Sequence, residues 1–241
     1  MKYHSQLTEA TLLKRPISFL MEVVLQSKRR IMLRCPNLGP LVGCDILGTQ
    51  LWFSAPYEDH CLPTLELVEV NGGFLVSINP EIIKKLVIEA IKYGHIKELA
   101  NYKVLNPELK YEQDSMPFLV LEQSPIQLLH PLTQCYVCLE HVIYSNEQYE
   151  GIFPLTKFAD RSLEHLILRK KQGHRAVLLY CVLHSGVKIL KFTDKDPEYS
   201  KKVAYAVEQG VEIMAYRAKI STQEIELINK VPIASQADAK I

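Results

Sequence analysis

The chain's 241 residues leave room for two modest domains or one large one. Its 48% hydrophobic and 23% charged content is that of an ordinary globular protein and excludes a disordered chain. A formal net charge of +1 excludes nucleic-acid binding by bulk charge, so any such binding requires a local basic patch.

Cysteines stand at 35, 44, 61, 135, 138 and 181 without the dense spacing of a disulfide framework, and no signal peptide is legible. Reduced thiols in a cytoplasmic protein are expected. No apolar run approaches the ~20 residues that span a bilayer, so no membrane partner is expected.

Residues 9–79 read as all-β. FLMEVVLQ and RRIMLRC flank a polar turn at Ser27-Lys28, as in a hairpin. QLWFSA, TLELVEV and GFLVSIN follow at short intervals, broken by Gly48 and by Asn71-Gly72-Gly73. About five short strands suggest a small closed barrel, for which the OB-fold is one candidate. Asn79 then caps a helix, Pro80 suits its first turn, and Gly94 ends it. Ile82, Ile83, Leu86, Val87 and Ala90 form its apolar face.

PFLVLEQ at 117–123 and QCYVCLEHVIY at 134–144 read as strands joined by a loop with two prolines. A helix over about 157–172 buries Ala159, Leu163, Leu166 and Ile167 on one stripe. Arg161, His165, Arg169 and Gln172, at steps of four, four and three, line another face. Gly173 closes that helix, and AVLLYCVL reads as a strand covered on both sides. Asp196-Pro197 opens a last helix with Tyr199, Val203, Ala206 and Val207 as its buried face, ended by Gly210. VEIMAYRAKI is a further strand, a short one follows near IELINKVPI, and the polar tail from Ser235 is expected to be disordered. Helix, two strands, helix, strand, helix, strand is the order of a mixed α/β domain.

RCPNLGPLVGC, Glu89-Ala90-Ile91, Phe153-Pro154, Arg161, His165-Leu166 and GHRAVLLYCVLHS, in that order along the chain, together resemble the sugar fermentation stimulation protein family. RCPNLGPLVGC at 34–44 is similar to the family's CPNTG segment, with Leu38 in place of Thr. Glu89-Ala90-Ile91 closes a helix similar to the one that opens the family's second domain. Phe153-Pro154, Arg161, His165-Leu166 and GHRAVLLYCVLHS resemble its C-terminal half. The resemblance implies an OB-like barrel over residues 1–79 and a PD-(D/E)XK nuclease-like domain over 80–241. It also implies DNA binding.

A metal-dependent nuclease of that fold needs an Asp on one strand and, on the next, a Glu and Lys two apart. Residues i and i+2 share a face, so they can serve one Mg²⁺ and one attacking water. Where the family reads SRxDF and YxEVKSV, this chain places Phe118, Cys138 and Glu140 at the Asp, Glu and Lys positions. FPDA becomes FPLT, with Leu155 for Asp, and one residue is inserted before Arg161. A phenyl ring cannot ligate Mg²⁺, a thiol suits that hard ion poorly, and Glu140 reverses a charge. The expectation is therefore no catalytic residue, no cofactor and no metal. Mg²⁺ enters only if Glu112, Asp114, Glu122 and Glu140 rebuild a site.

Other chemistry is sparse. Cys135 and Cys138 form a CxxC, but residues three apart on a strand face opposite sides. Cys35, Cys44, His60 and Cys61 match no common zinc spacing, and His184-Ser185 lacks the context of a hydrolase dyad. Basic residues are the main lead: Lys28, Arg29, Arg30 and Arg34 around the barrel's first hairpin, and Arg161, His165 and Arg169 on the central helix. Of the adjacent pair Trp52 and Phe53, one can stack on a base while the other faces the core. The expected DNA contacts are Arg29, Arg30, Arg34, Arg161, His165 and Arg169, made without sequence preference. A rearranged-site nuclease and a protein-interaction module stand as alternatives, the latter suggested by the acidic segment 57–61. Homo-oligomerisation is left open.

Overall fold

The computed structural model describes residues 1–234 except 57, 59, 71, 106–117, 124–133, 154–158 and 193–196. Asn71, Asp196, the proline-containing loop and the tail from Ser235 therefore lie outside the described residues.

The first strands are β1 (Thr8–Ile17), β2 (Leu20–Val24), β3 (Arg30–Arg34), β4 (Gln50–Ser54), β5 (Thr64–Val70) and β6 (Phe74–Ser77). β2 and β3 make the expected hairpin, with Val24 opposite Arg30 and Lys28 in the left-handed region at φ 66°. β1 pairs with β2 and with β4, β4 with β5, and β3 runs parallel to β5 at Arg34↔Thr64, which closes the barrel. Leu12, Met21, Leu33, Leu51 and Leu65 fill it. β1 is an addition to the expected strands. Only Ala10 and Leu12 point inward from it, and its register slips near Lys14, so its alternation is faint.

The barrel leads into a polar junction. Asn79 caps a short 3₁₀ turn (Pro80–Ile82) by accepting from the Glu81 amide, and α1 (Ile83–Lys92) follows. Asn79 Nδ2 donates to Glu66 Oε2 at 3.0 Å, and Ser54 Oγ donates to Glu66 Oε1 at 2.9 Å. Arg34 bonds both carboxylate oxygens of Glu81, at 2.8 and 2.9 Å. Burial raises the Glu66 carboxyl above the ordinary Glu range despite these donors. α1 buries Ile83, Leu86, Val87, Ala90 and Ile91, close to the predicted stripe.

The remaining elements are β7 (Tyr102–Val104), β8 (Phe118–Gln123), β9 (Gln134–Val142), β10 (Tyr144–Ser145), β11 (Glu150–Phe153), α2 (Ala159–Lys171), β12 (Arg175–Val182), β13 (Ile189–Phe192), α3 (Pro197–Glu208), β14 (Glu212–Ile220) and β15 (Ile225–Lys230). A six-stranded sheet runs β15-β14-β12-β9-β8-β7, with β9, β12 and β14 parallel. α2 connects β9 to β12 and α3 connects β12 to β14, the crossovers that parallel neighbours require. β10, β11 and β13 form a small second sheet that the sequence did not disclose. On α3, Tyr199, Val203 and Ala206 are buried as expected. Val207 is 49% exposed instead, because it is rotated one position off that stripe, and Ser200 is buried.

β9 and β12 each feed two cores. Cys135, Val137, Leu139, Val177 and Leu179 join a cluster continuous with α1 and the barrel. Tyr136, Cys138, Leu178 and Tyr180 face α2 and α3. Barrel and sheet are also tied through the backbone: Ser77 N–H donates to Leu183 O, and Ser185 N–H to Leu75 O, each at 2.9 Å. Gly186 lies against the Phe74 ring, where a Cβ would stand 2.8 Å from the nearest ring atom. Among the described residues, no helix is long and apolar enough to cross a membrane.

Candidate nucleic-acid interface

β8 and β9 are antiparallel with Phe118 opposite Cys138, so Phe118, Cys138 and Glu140 meet on the sheet face beneath α2. Phe118 is buried, its ring centroid 4.9 Å from that of His165. Cys138 is fully buried, which pushes its thiol well above the usual range. Glu140 is 7% exposed and accepts a hydrogen bond from Ser162 Oγ at 3.3 Å; burial pushes its carboxyl up to about 7. Beside them the hydroxyls of Tyr180 and Tyr199 share a buried hydrogen bond of 2.8 Å. A ring, an inaccessible thiol and one bonded carboxyl do not fit a hard divalent cation, which takes several oxygen ligands.

The described carboxylates do not rebuild such a site. Glu122 pairs with Gln134, six residues before Glu140 along β9, and therefore lies about 20 Å from it. Glu112, Asp114 and Leu155 lie outside the described residues.

α2 turns Leu163 and Leu166 onto the sheet and carries its basic stripe on another face. Arg161 is exposed. Arg169 is held from three sides: its Nε donates to His165 Nε2 at 2.9 Å, its Nη1 to Gln172 Oε1 at 3.1 Å, and its guanidinium lies 4.7 Å over the Tyr136 ring. The steps of four and three thus do bring His165, Arg169 and Gln172 together. His165 is held below its ordinary pKa by burial and by Arg169, and as an acceptor it orients Arg169 as a neutral ring.

On the barrel, Arg29 is exposed, and Arg30 is 71% exposed with Glu22 at 3.6 Å. Arg34 is engaged by Glu81 and also donates to Thr64 Oγ1 at 3.3 Å, so it holds the junction. Phe53 is buried and Trp52 half-buried, so Trp52 is the outward member of that pair.

The CxxC pair, the set Cys35, Cys44, His60 and Cys61, and the neighbours His184 and Ser185 are not brought together as sites. All six thiols are free, and Cys135 and Cys138 face different cores. Cys35 and Cys44 are buried, whereas His60 and Cys61 are exposed. Ser185 Oγ accepts from the Leu75 amide, leaving His184 to pair with Ser145 at 3.0 Å. His184 Nδ1 accepts from the Gly186 amide, so Nε2 carries the proton and donates to Ser145, the wrong tautomer for a base. This pair floors a cleft of about 430 Å³ between the barrel loop at Val42–Cys44 and the turn at Ser145–Tyr149, which no sequence signal announced.

Comparison with known proteins gives a consistent assignment. A profile for the sugar fermentation stimulation protein RE domain matches residues 81–224. The sugar fermentation stimulation protein homolog of Pseudoalteromonas atlantica is 32% identical over 240 residues, 97% of this chain and 99% of that one. The homolog of Pasteurella multocida is 34% identical over 220 residues, 88% of each chain. The solved structure of Pyrococcus furiosus SfsA in complex with Ca²⁺ has the same fold: TM-score 0.82 at 19% identity, covering 97% of this chain and 98% of that one. The chain belongs to the sugar fermentation stimulation protein family.

Proposed function

We propose that the protein binds DNA in the cytoplasm without cutting it, the sheet domain serving as a nuclease-like scaffold. The observation that carries this reading is the basic face of α2. Arg169 is pre-oriented by His165, Gln172 and Tyr136 beside an exposed Arg161, so little side-chain freedom is lost when a phosphate is bound. Arg29 and Arg30 on the barrel extend the contact, and Trp52 offers a ring for an unstacked base. Arg34 and His165 act as supports. A non-catalytic role is favoured by Phe118, Cys138 and Glu140 lying within packed structure. The calcium of the Pyrococcus furiosus protein is not carried over, since these side chains do not suit it.

Fluorescence anisotropy of labelled single- and double-stranded DNA across a salt series tests this, with a gel for cleavage. Wild-type binding should weaken steeply with salt and leave DNA intact with Mg²⁺ present. Reversing Arg161 and Arg169 to Glu should flatten the logarithmic salt slope by about 2, the worth of two phosphate contacts. Lys219→Glu should leave it unchanged. Equal loss from both variants would reject the α2 assignment, and cleavage would reject the scaffold.

A further inference from the structure

The loop joining β4 to β5 carries an arrangement that the DNA-binding reading does not use. It turns at residues 58–61, where the Cys61 amide donates to Glu58 O at 2.9 Å. That turn brings a Glu58 carboxylate oxygen, a His60 ring nitrogen and Cys61 Sγ within 4.8 Å of one another, all on exposed side chains. Glu58 Oε2 and His60 Nε2 are already 3.0 Å apart. We propose that Glu58, His60 and Cys61 form a binding site for a zinc-class divalent cation.

The geometry and the donor set both carry this. Tetrahedral zinc holds nitrogen and oxygen at about 2.0–2.2 Å and sulfur at about 2.3 Å, so its ligand atoms lie roughly 3.3–3.7 Å apart. Reaching that spacing from the present one takes rotamer adjustments of exposed side chains and leaves the backbone turn in place. One thiolate, one imidazole and one carboxylate suit a borderline ion, while a hard one such as Mg²⁺ or Ca²⁺ would find a single good ligand. Three protein donors leave a fourth position for water, as in open zinc sites. Binding forms the metal–sulfur bond as the Cys61 proton leaves for solvent, so affinity rises with pH.

Cys35 and Cys44, the other thiols of this part of the sequence, take no part. Both are buried, and Cys35 donates to Asn37 O at 3.3 Å. The loop is also one of those by which barrels of this kind meet oligonucleotides, and the cation would place positive charge beside Glu58 there.

The test is a Co²⁺ titration of the full, reduced, chelator-stripped protein, followed by Zn²⁺ displacement. Wild type should develop the visible bands of four-coordinate cobalt with a thiolate charge-transfer band, and Zn²⁺ should bleach both. Cys61→Ser should abolish the charge-transfer band, and His60→Ala should weaken Zn²⁺ binding at least tenfold. Glu69→Gln, an exposed carboxylate elsewhere on the barrel, should change nothing. These are exposed loop positions, and unchanged thermal unfolding verifies that each variant is folded. Absence of the bands at about 1 mM Co²⁺, a free energy of only some 4 kcal/mol, overturns the proposal. So does a charge-transfer band that survives in Cys61→Ser.

Discussion

Two buried glutamates in two parts of the molecule are held in opposite ways. At the barrel junction both oxygens of Glu66 receive donors, from Ser54 and Asn79, and the network continues through the Asn79 cap to Glu81 and Arg34. Beneath α2, Glu140 has one 3.3 Å bond from Ser162 among tyrosine, cysteine and aliphatic neighbours. Burial raises the pKa of both, yet only one is built into a network. A buried carboxyl with full partners organises structure, whereas one with a single partner is mostly a desolvation cost.

The largest expected effect breaks the first region. Glu66→Ala leaves the Ser54 hydroxyl only its 3.5 Å acceptor, Thr64 O, strands the Asn79 amide and loosens the helix cap, and should cost roughly 3 kcal/mol, read as a fall in the urea midpoint at pH 7. The second region should respond with the opposite sign. Because the Glu140 carboxyl is raised from 4.5 to about 7 on folding, the folded state holds more protons between those values. Its contribution is therefore full below about pH 4.5 and lost as pH rises through 7, a swing of up to roughly 3 kcal/mol. Glu140→Gln should flatten that part of the stability–pH curve and raise the urea midpoint at pH 8. An unchanged curve would show that Glu140 is solvated in the folded protein. The smallest effect sharpens the assignment of Arg34. Arg34→Met should cost about 1 kcal/mol or less, since Glu81 is 57% exposed, and should alter DNA affinity less than twofold. A large affinity loss with unchanged stability would return Arg34 to the proposed DNA contacts.

Legibility from sequence followed the strength of local signals. The β2–β3 hairpin, α1, α2, β12 and α3 were all readable because caps, glycine stops and apolar periodicity agree there. β1 escaped because Lys14, Arg15 and Pro16 interrupt its alternation, and β13 because four residues between turns carry little pattern. On α2, the spacing of His165, Arg169 and Gln172 announced their mutual contact, since one helix defines it. The engagement of Arg34 by Glu81 was not, because the partners are 47 residues apart and meet only once the barrel closes. The Ser145–His184 pair likewise joins β10 to the segment after β12, 39 residues on, and the adjacent Ser185 was the misleading neighbour.

The backbone tie between β6 and residues 183–185 has a bearing on solubility. β6 ends the barrel sheet, with β5 on one side. Its other side would be a row of bare amides and carbonyls, the template on which chains pair edge to edge. Val76 bridges His184 there, and the Leu75, Ser77, Leu183 and Ser185 bonds complete the seal. The segment that follows β12 thus works as a guard strand for the barrel. A chain cut at residue 79 would uncover that margin of β6.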